Sequence, residues 1–561
     1  MSLSIDEVKA LAKKVTTSSE RAHYNGIVKL LAEFPAQPLP DVDEHGDSDR
    51  EQHLRFLAVA LFQVFKKLFA RGELAPLSAK KQQAAGPAVV KFNQWCRKLY
   101  ASFKTKLLAV LALYTQETSL ALDCLDLYMQ LLEQESVHFA SRKDAPFFPN
   151  KTLAALIAAL WQSRMDGDAS QEVDQASGES ANFLLLEFRD KYYKPFVDVQ
   201  YYTQAELAEL VVAGTVRTDD ADGIAAAKWV ALTNHDNHID SPDAELEVFV
   251  SNPPQAIENE SKFKGLLERN WCTFLNGTIS PQLYKTILTV LHKRIIPHFH
   301  TPTKLMDFLT DSYNQGGIVA ILALNGLFEL MVKNNLEYPN FYPKLYQLIT
   351  PELMHVKYRP RFFRLMDIFL ASTHLSVHLV ASFIKRLARL SLSAPPSAIV
   401  IVIPFIYNML KKHPNCMIMI HNPKYISDPF QTPEQQAQLK AARASYADPF
   451  NMDEADPENT GAFGSSLWEM DSLMQHYHPN VASLAKVFSQ PFKKMSYNME
   501  DFLDWGYDSL LAAEASRRLK VLPVLEYETF DQVVADTPEN KTSDDSEDAA
   551  GRAVYLPNIT W

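Results

Sequence analysis

The chain has 561 residues, Lys+Arg 55 against Asp+Glu 67, a formal net charge of −12 and 47% hydrophobic residues. That length exceeds what a single core grows to, so several helical blocks or an elongated stack are expected, and the apolar content excludes wholesale disorder. The acidic balance argues against the chain as a whole being a nucleic-acid binder, and its 17 glycines, against about 40 for a typical chain of this length, leave few phosphate-cradling loops.

From the amino terminus onward, residues 1–14 carry acids and lysines where a leader would be apolar, and Cys96, Cys124, Cys272 and Cys416 are too far apart for a CxxC clip. A reducing nuclear or cytosolic setting is expected. In 54–69 the apolar positions Leu54, Leu57, Ala58, Leu61, Val64, Phe65 and Leu68 recur at spacings of three and four, one face of a helix. The segment 92–110 repeats this with Trp95, Leu99, Phe103, Leu107 and Val110, leaving Arg97, Lys98, Lys104 and Lys106 on other faces. A third helix follows at 118–132, with Leu122, Leu125, Tyr128 and Leu132 inward.

Acid collects in Pro-, Ser-, Gly- and Asp-rich stretches at 41–49, 166–179, 236–260, 453–458 and 531–548. Such segments bury too little apolar surface to offset ordering, so they read as mobile connectors. The resulting organisation is an N-terminal helical block (1–160), a helical connector (181–235), a C-terminal helical solenoid (262–530), an acidic linker (531–552) and an apolar anchoring peptide (553–561) with Tyr555, Leu556, Pro557 and Trp561. Within 281–425 prolines separate short apolar-periodic segments, and 398–410, apolar but interrupted by Pro404, is too short to cross a bilayer and reads as a buried core helix. No alternating strand pattern interrupts them. The fold class is therefore all-α, an irregular α-solenoid of armadillo or HEAT-like helix pairs.

Chemistry is harder to find. Neither G-x-x-x-x-G-K-[ST] nor G-x-G-x-x-G occurs, and the adjacent glycines Gly316 and Gly317 read as a turn. His374 and His378 share a helix face, but Leu375 stands where a zincin needs Glu, and His292, His298 and His300 read as polar contacts near a helix end. No catalytic residue, metal site, cofactor or small-molecule substrate is nominated. The Asp-Pro-Phe tripeptides at 428–430 and 448–450 are explained by turn chemistry.

The constellation that stands out is basic. Between 281 and 425 sixteen Lys or Arg face six Asp or Glu, a local charge of +10. Lys357, Arg359, Arg361 and Arg364, then Lys385, Arg386 and Arg389, then Lys411 and Lys412 place ammonium and guanidinium groups along successive helices, with Lys357, Arg361 and Arg364 in one stripe. Such a row suits phosphate oxygens by charge-assisted hydrogen bonds, which makes these nine the candidate contacts for RNA. The competing expectation is a solvated face, or pairing with acidic helices elsewhere. Aromatic and methionine content, including Met417, Met419 and Met495, points to a buried protein partner.

Long phrases of the chain, YNGIVKLLAEF at 24–34, PFFPNKT at 146–152, IIPHFHTPTKLMDFLTD at 295–311, the segment 375–407 and KHPNCMIMIHN at 412–422, resemble nucleolar members of the CCAAT-binding-factor/Mak-twenty-one family. The resemblance extends to 477–485, 491–505 and 555–561, and the family's shared domain would cover about 316–474. It implies a non-catalytic nucleolar ribosome-biogenesis factor, a scaffold of the small-subunit processome needed for small-subunit rRNA maturation. It further implies a heterodimer with the Nop-fourteen nucleolar protein, among other processome proteins, close to pre-ribosomal RNA. The alternative, suggested by the family's older name, is a DNA-binding, transcription-associated helical protein.

Overall fold

The computed structural model describes residues 4–17, 21–34, 47–75, 86–113, 118–140, 145–163, 182–218, 223–235, 247–334, 337–427 and 431–518. The expected linkers at 166–179 and 531–552, the tripeptide Asp428, Pro429 and Phe430, and the tail with Tyr555, Leu556, Pro557 and Trp561 lie outside the described residues.

Every regular element among the described residues is helical. The first are α1 (Ile5–Thr17), α2 (Asn25–Glu33), α3 (Asp47–Ala70), α4 (Gly86–Leu113), α5 (Ser119–His138), α6 (Asn150–Gln162), α7 (Phe183–Phe188), α8 (Val197–Val212) and α9 (Ile224–Thr233). They are followed by α10 (Glu260–Leu275), α11 (Pro281–Val290), α12 (Met306–Asn314), α13 (Gly317–Asn334), α14 (Phe341–Gln347), α15 (Arg359–Phe369), α16 (Val377–Ser391) and α17 (Pro396–Lys412). The last are α18 (Pro433–Ala444), α19 (Trp468–Leu473), α20 (Pro479–Ala485), α21 (Glu500–Leu503) and α22 (Tyr507–Ala515). This is the all-α, α-solenoid class expected from the periodicity. The chain divides into two compact units, Met1–Leu387 with Asn415–Ser466, and Ala388–Pro414 with Leu467–Trp561.

In the first unit each helix packs on near neighbours in the chain: α1 on α2 and α3, α3 on α5, α4 on α5 and α6, α6 on α8, and α8 on α10. The stripe predicted in 54–69 is buried in full, from Leu54 at 5% exposure to Leu57 and Phe65 at zero. Phe65 stacks on Phe103 of α4 with centroids 5.1 Å apart. Each such side chain contributes roughly 1.5–3 kcal/mol of burial. On α4 the buried line runs through Cys96, Tyr100, Phe103 and Leu107, which leaves Trp95 and Leu99 half-buried at its margin. Start signals are those the sequence supplies: the Thr118 side chain accepts from Ala121 N ahead of α5, and Ser280 from Leu283 N ahead of α11, where Pro281 sits in the first turn. Further along, α13 is long and apolar, but Ile321, Leu322, Leu324, Leu327 and Leu330 are buried against α11, α12 and α15.

Helix carboxyl ends are closed in a way the sequence did not announce. The last carbonyls of a helix lack intrahelical donors and carry the negative end of its dipole. Arg71 donates to Val15 O at 3.1 Å and Thr16 O at 2.9 Å, closing α1. Lys106 donates to Leu31 O and Phe34 O, both at 2.5 Å, closing α2. Lys228, fully buried, donates to Leu160 O at 3.0 Å, Trp161 O at 3.2 Å and Ser163 O, closing α6. The expectation that Arg97, Lys104 and Lys106 occupy outer faces is thus corrected for all three: Arg97 donates to Leu74 O at 3.1 Å, and Lys104 reaches the buried Glu135 at 2.7 Å.

The expected connector at 236–260 is also corrected where it is described. Asp198, at zero exposure, accepts from Val199 N, Phe249 N and Val250 N at 2.9, 3.0 and 2.9 Å, and Val197 N donates to Glu247 O at 3.0 Å. The strip is fixed because its backbone N–H groups are the donors this buried carboxyl needs. Burial nevertheless raises the Asp198 carboxyl, outweighing those N–H bonds.

In the second unit α17 is the core: residues 397–410 are all buried, and α20 and α21 pack on it. Tyr407 meets the rings of Phe492 at 4.5 Å and Tyr497 at 4.9 Å.

Candidate functional site in the basic region

The α15 segment begins at Arg359 with Pro360 in the first turn, and Phe362, Phe363, Leu365 and Met366 form its buried face. That leaves four cations around its start. Lys357 and Arg364 are exposed. Arg359 is buried and donates to Met354 O at 2.5 Å. Arg361 turns inward, its guanidinium over the Tyr358 ring at 5.9 Å and NH1 at 3.5 Å from Thr289 O. The stripe Lys357, Arg361, Arg364 is therefore exposed at its two ends and half-buried in the middle. Burial, followed by Arg361 and Lys293, pushes the neighbouring His292 down to about 4, so that ring is neutral at physiological pH and adds nothing to the local positive charge.

On α16 the first unit holds Ser382, Lys385 and Arg386. Lys385 has no exposed side-chain surface; its Nζ donates to Ser466 O at 2.5 Å and lies 3.5 Å from the Asp448 carboxylate. Arg386 donates to Ile349 O at 2.7 Å and Met452 O at 3.1 Å while its guanidinium covers the Tyr346 ring at 4.5 Å. Ser382 Oγ bonds Pro457 O at 2.5 Å and Thr460 Oγ1 at 2.6 Å, and Ser376 Oγ donates to Glu458 at 2.8 Å. Together they clamp residues 446–466 as one packed loop. It is closed by Asn451 N on Thr460 O at 2.8 Å and by Gly461, whose φ of +75° and 2.6 Å approach of a would-be Cβ to Pro449 O demand glycine. The acidic stretch 453–458, expected as a connector, is corrected to part of this loop: its charges face water while its carbonyls take the α16 donors. The second Asp-Pro-Phe tripeptide likewise owes its position to Asp448, beside Lys385 and bonded by Ser465 Oγ at 2.5 Å.

In the second unit Arg389 pairs with Glu469, itself at zero exposure, at 2.8 Å and lies over Trp468 at 5.0 Å. Lys411 donates to Phe492 O at 2.9 Å, beside Tyr407 Oη on Lys494 O at 2.6 Å and a reciprocal pair between Asn408 and Tyr497, both bonds 2.8 Å. Lys412 is half-buried.

The nine candidates thus do not form one phosphate-facing row. Arg359, Arg361, Lys385, Arg386, Arg389 and Lys411 brace the chain against itself, five of them on main-chain carbonyls and Arg389 on a carboxylate. The residues that sequence reasoning missed are those acceptors. Ser466 and Phe492 each stand 81 positions from the lysine they hold, and a carbonyl carries no side-chain signature. Among the other polar candidates, His300 engages Ser261 O at 2.7 Å and its backbone N–H donates to Glu268 at 2.9 Å, while His378 sits edge-on to Phe463 at 5.1 Å. No cluster of three or more His, Cys, Asp or Glu suited to a metal occurs among the described residues.

Stacked helices tied by buried cations define a helical-repeat protein whose polar side chains serve its own architecture. The family profile described as nucleolar complex protein 4-like, TPR repeats, matches residues 4–216, and the CBF/Mak21 family profile matches 320–485. The chain is 58% identical to nucleolar complex protein 4 of Saccharomyces cerevisiae over 100% of both chains. It is 34% identical to nucleolar complex protein 4 homolog A of Xenopus laevis, covering 87% of this chain and 88% of the relative, and 32% identical to the Homo sapiens homolog, covering 88% and 89%. The chain belongs to the nucleolar complex protein 4 family, a nucleolar family of ribosome biogenesis.

Proposed function

We propose that this chain is a non-catalytic scaffold subunit of the small-subunit processome, needed for small-subunit rRNA maturation and acting as a heterodimer with the Nop-fourteen nucleolar protein. The observation that carries the reading is a contrast. The cations able to bind phosphate are mostly tied into internal bonds, whereas large apolar side chains of the second unit stand in solvent: Tyr477 at 79%, Met495 at 80% and Leu511 at 68% exposure. Of the methionines singled out in the sequence, Met419 is buried and Met417 half-buried, so Met495 alone among them is offered outward. Exposed aromatic and sulfur-containing side chains suit a protein partner, and obligate pairs of this kind bury about 2,000 Å² or more. Purification of the tagged chain at physiological salt is expected to retain the partner in equal amount, and a chain that emerges single contradicts the reading.

Within the same proposal, pre-ribosomal RNA is touched at the outward ends of the α15 stripe, Lys357 and Arg364. Lys357→Glu with Arg364→Glu is expected to cut RNA crosslinking several-fold while leaving partner co-purification unchanged. Unchanged crosslinking removes these residues from the RNA surface.

A further inference from the structure

The two adjacent glycines passed over in the sequence as a turn open onto a feature that the scaffold role does not use. Gly316 and Gly317 both have positive φ, 75° and 57°, and a Cβ built on either meets nothing within 4 Å. They lead into α13, 18 residues long, whose first-turn N–H groups have no intrahelical acceptor. Beside them is a hollow of about 350 Å³, entirely within the first unit. Lys344 lines it, its Nζ held by Asn314 Oδ1 at 2.6 Å and Tyr338 Oη at 2.7 Å with its third hydrogen to spare. Tyr313 lines it as well: that side chain is 3% exposed and its hydroxyl is buried without a hydrogen-bond partner. An orphaned buried hydroxyl costs on the order of 1–3 kcal/mol, so it is a group waiting for an acceptor. Burial and the neighbouring Tyr338 raise the phenol, which keeps it an O–H donor at physiological pH.

The remaining walls decide which acceptor fits. Ile318, Ile321 and Leu353 make one side apolar, and Glu352 is the carboxylate among the lining residues. One ammonium, a helix amino end and one acid suit a single negative charge rather than a dianionic phosphate. An apolar wall beside an anion-binding end suits a group that carries both. We propose that this hollow captures the last residue of a partner polypeptide, its free carboxylate on Lys344, Tyr313 and the first N–H groups of α13, and its apolar side chain against Ile318 and Leu353. Backbone capture of a chain terminus of this kind is an established mode of peptide recognition.

The test uses the full chain and two probes, N-acetyl-glycyl-leucine as the free acid and as its C-terminal amide, compared by ligand-observed NMR. The acid is expected to bind and the amide to bind about tenfold more weakly, the scale of one charge-assisted contact set. Tyr313→Phe, which removes one oxygen and keeps the ring packing, is expected to weaken the acid several-fold and leave the amide unchanged, and Lys344→Met to abolish the difference between the probes. Equal binding of acid and amide, no binding of either at millimolar concentration, or displacement of the acid by lower concentrations of inorganic phosphate would each overturn the assignment.

Discussion

Lys385→Met will destabilise the loop 446–466 by about 2–3 kcal/mol, the cost of a buried carbonyl and a half-screened carboxylate losing their cation. Methionine fills nearly the same volume, so the apolar packing of α16 around Phe383 and Leu387 survives, and what disappears is the ammonium between Ser466 O and Asp448. Asp448 keeps only the Ser465 hydroxyl among its printed side-chain donors, and a quarter of its surface already meets water, which holds the penalty below that of a fully buried ion. Hydrogen exchange of residues 446–466 measures the effect directly: protection there should fall by one to two orders of magnitude, about 1.4 kcal/mol per decade. Lys357→Met, at an exposed position, should move it by less than about 0.5 kcal/mol. Equal effects of the two substitutions would mean that the buried ammonium holds nothing.

The second large effect is expected at Lys228. Lys228→Met leaves the carbonyls of Leu160, Trp161 and Ser163 without their shared donor in a site closed to water, at a cost of about 2–4 kcal/mol. The loss is local to the end of α6 and to α9, on which Lys228 lies, while Trp229 beside it keeps its stacking on Phe274 at 5.1 Å. Thermal unfolding together with exchange rates at 159–163 reads both quantities; an unaltered midpoint with unaltered exchange would show that the helix end is satisfied by other means.

Apolar spacing made the helices legible. Positions 54–68 and the buried face of α15 follow from three-and-four periodicity because an amphipathic helix buries one stripe whatever its neighbours are. The same logic misplaced the charged residues. Lys106 and Lys385 look outward on a helical projection, yet a long alkyl stem lets an ammonium reach a carbonyl on another element while the stem stays in the core. Whether it does so depends on where a remote helix ends or a loop returns, and residues 31–34 for Lys106 or 466 for Lys385 carry no local mark of that meeting. For the same reason 453–458 reads as a connector: its acids are conspicuous, while the carbonyl of Pro457 that anchors it is chemically silent in sequence. The candidate site was thus legible as composition, a basic block, and illegible as architecture.

Lysine-directed acylation of the native chain with a mass readout tests most directly whether these cations belong to the fold. Lys357 should modify at the rate of an exposed amine, and Lys385 and Lys228, both at zero exposure, should stay unmodified until the protein is denatured. Modification of Lys385 at the pace of Lys357 in the folded protein would contradict the account and return the basic block to solvent and its ligands.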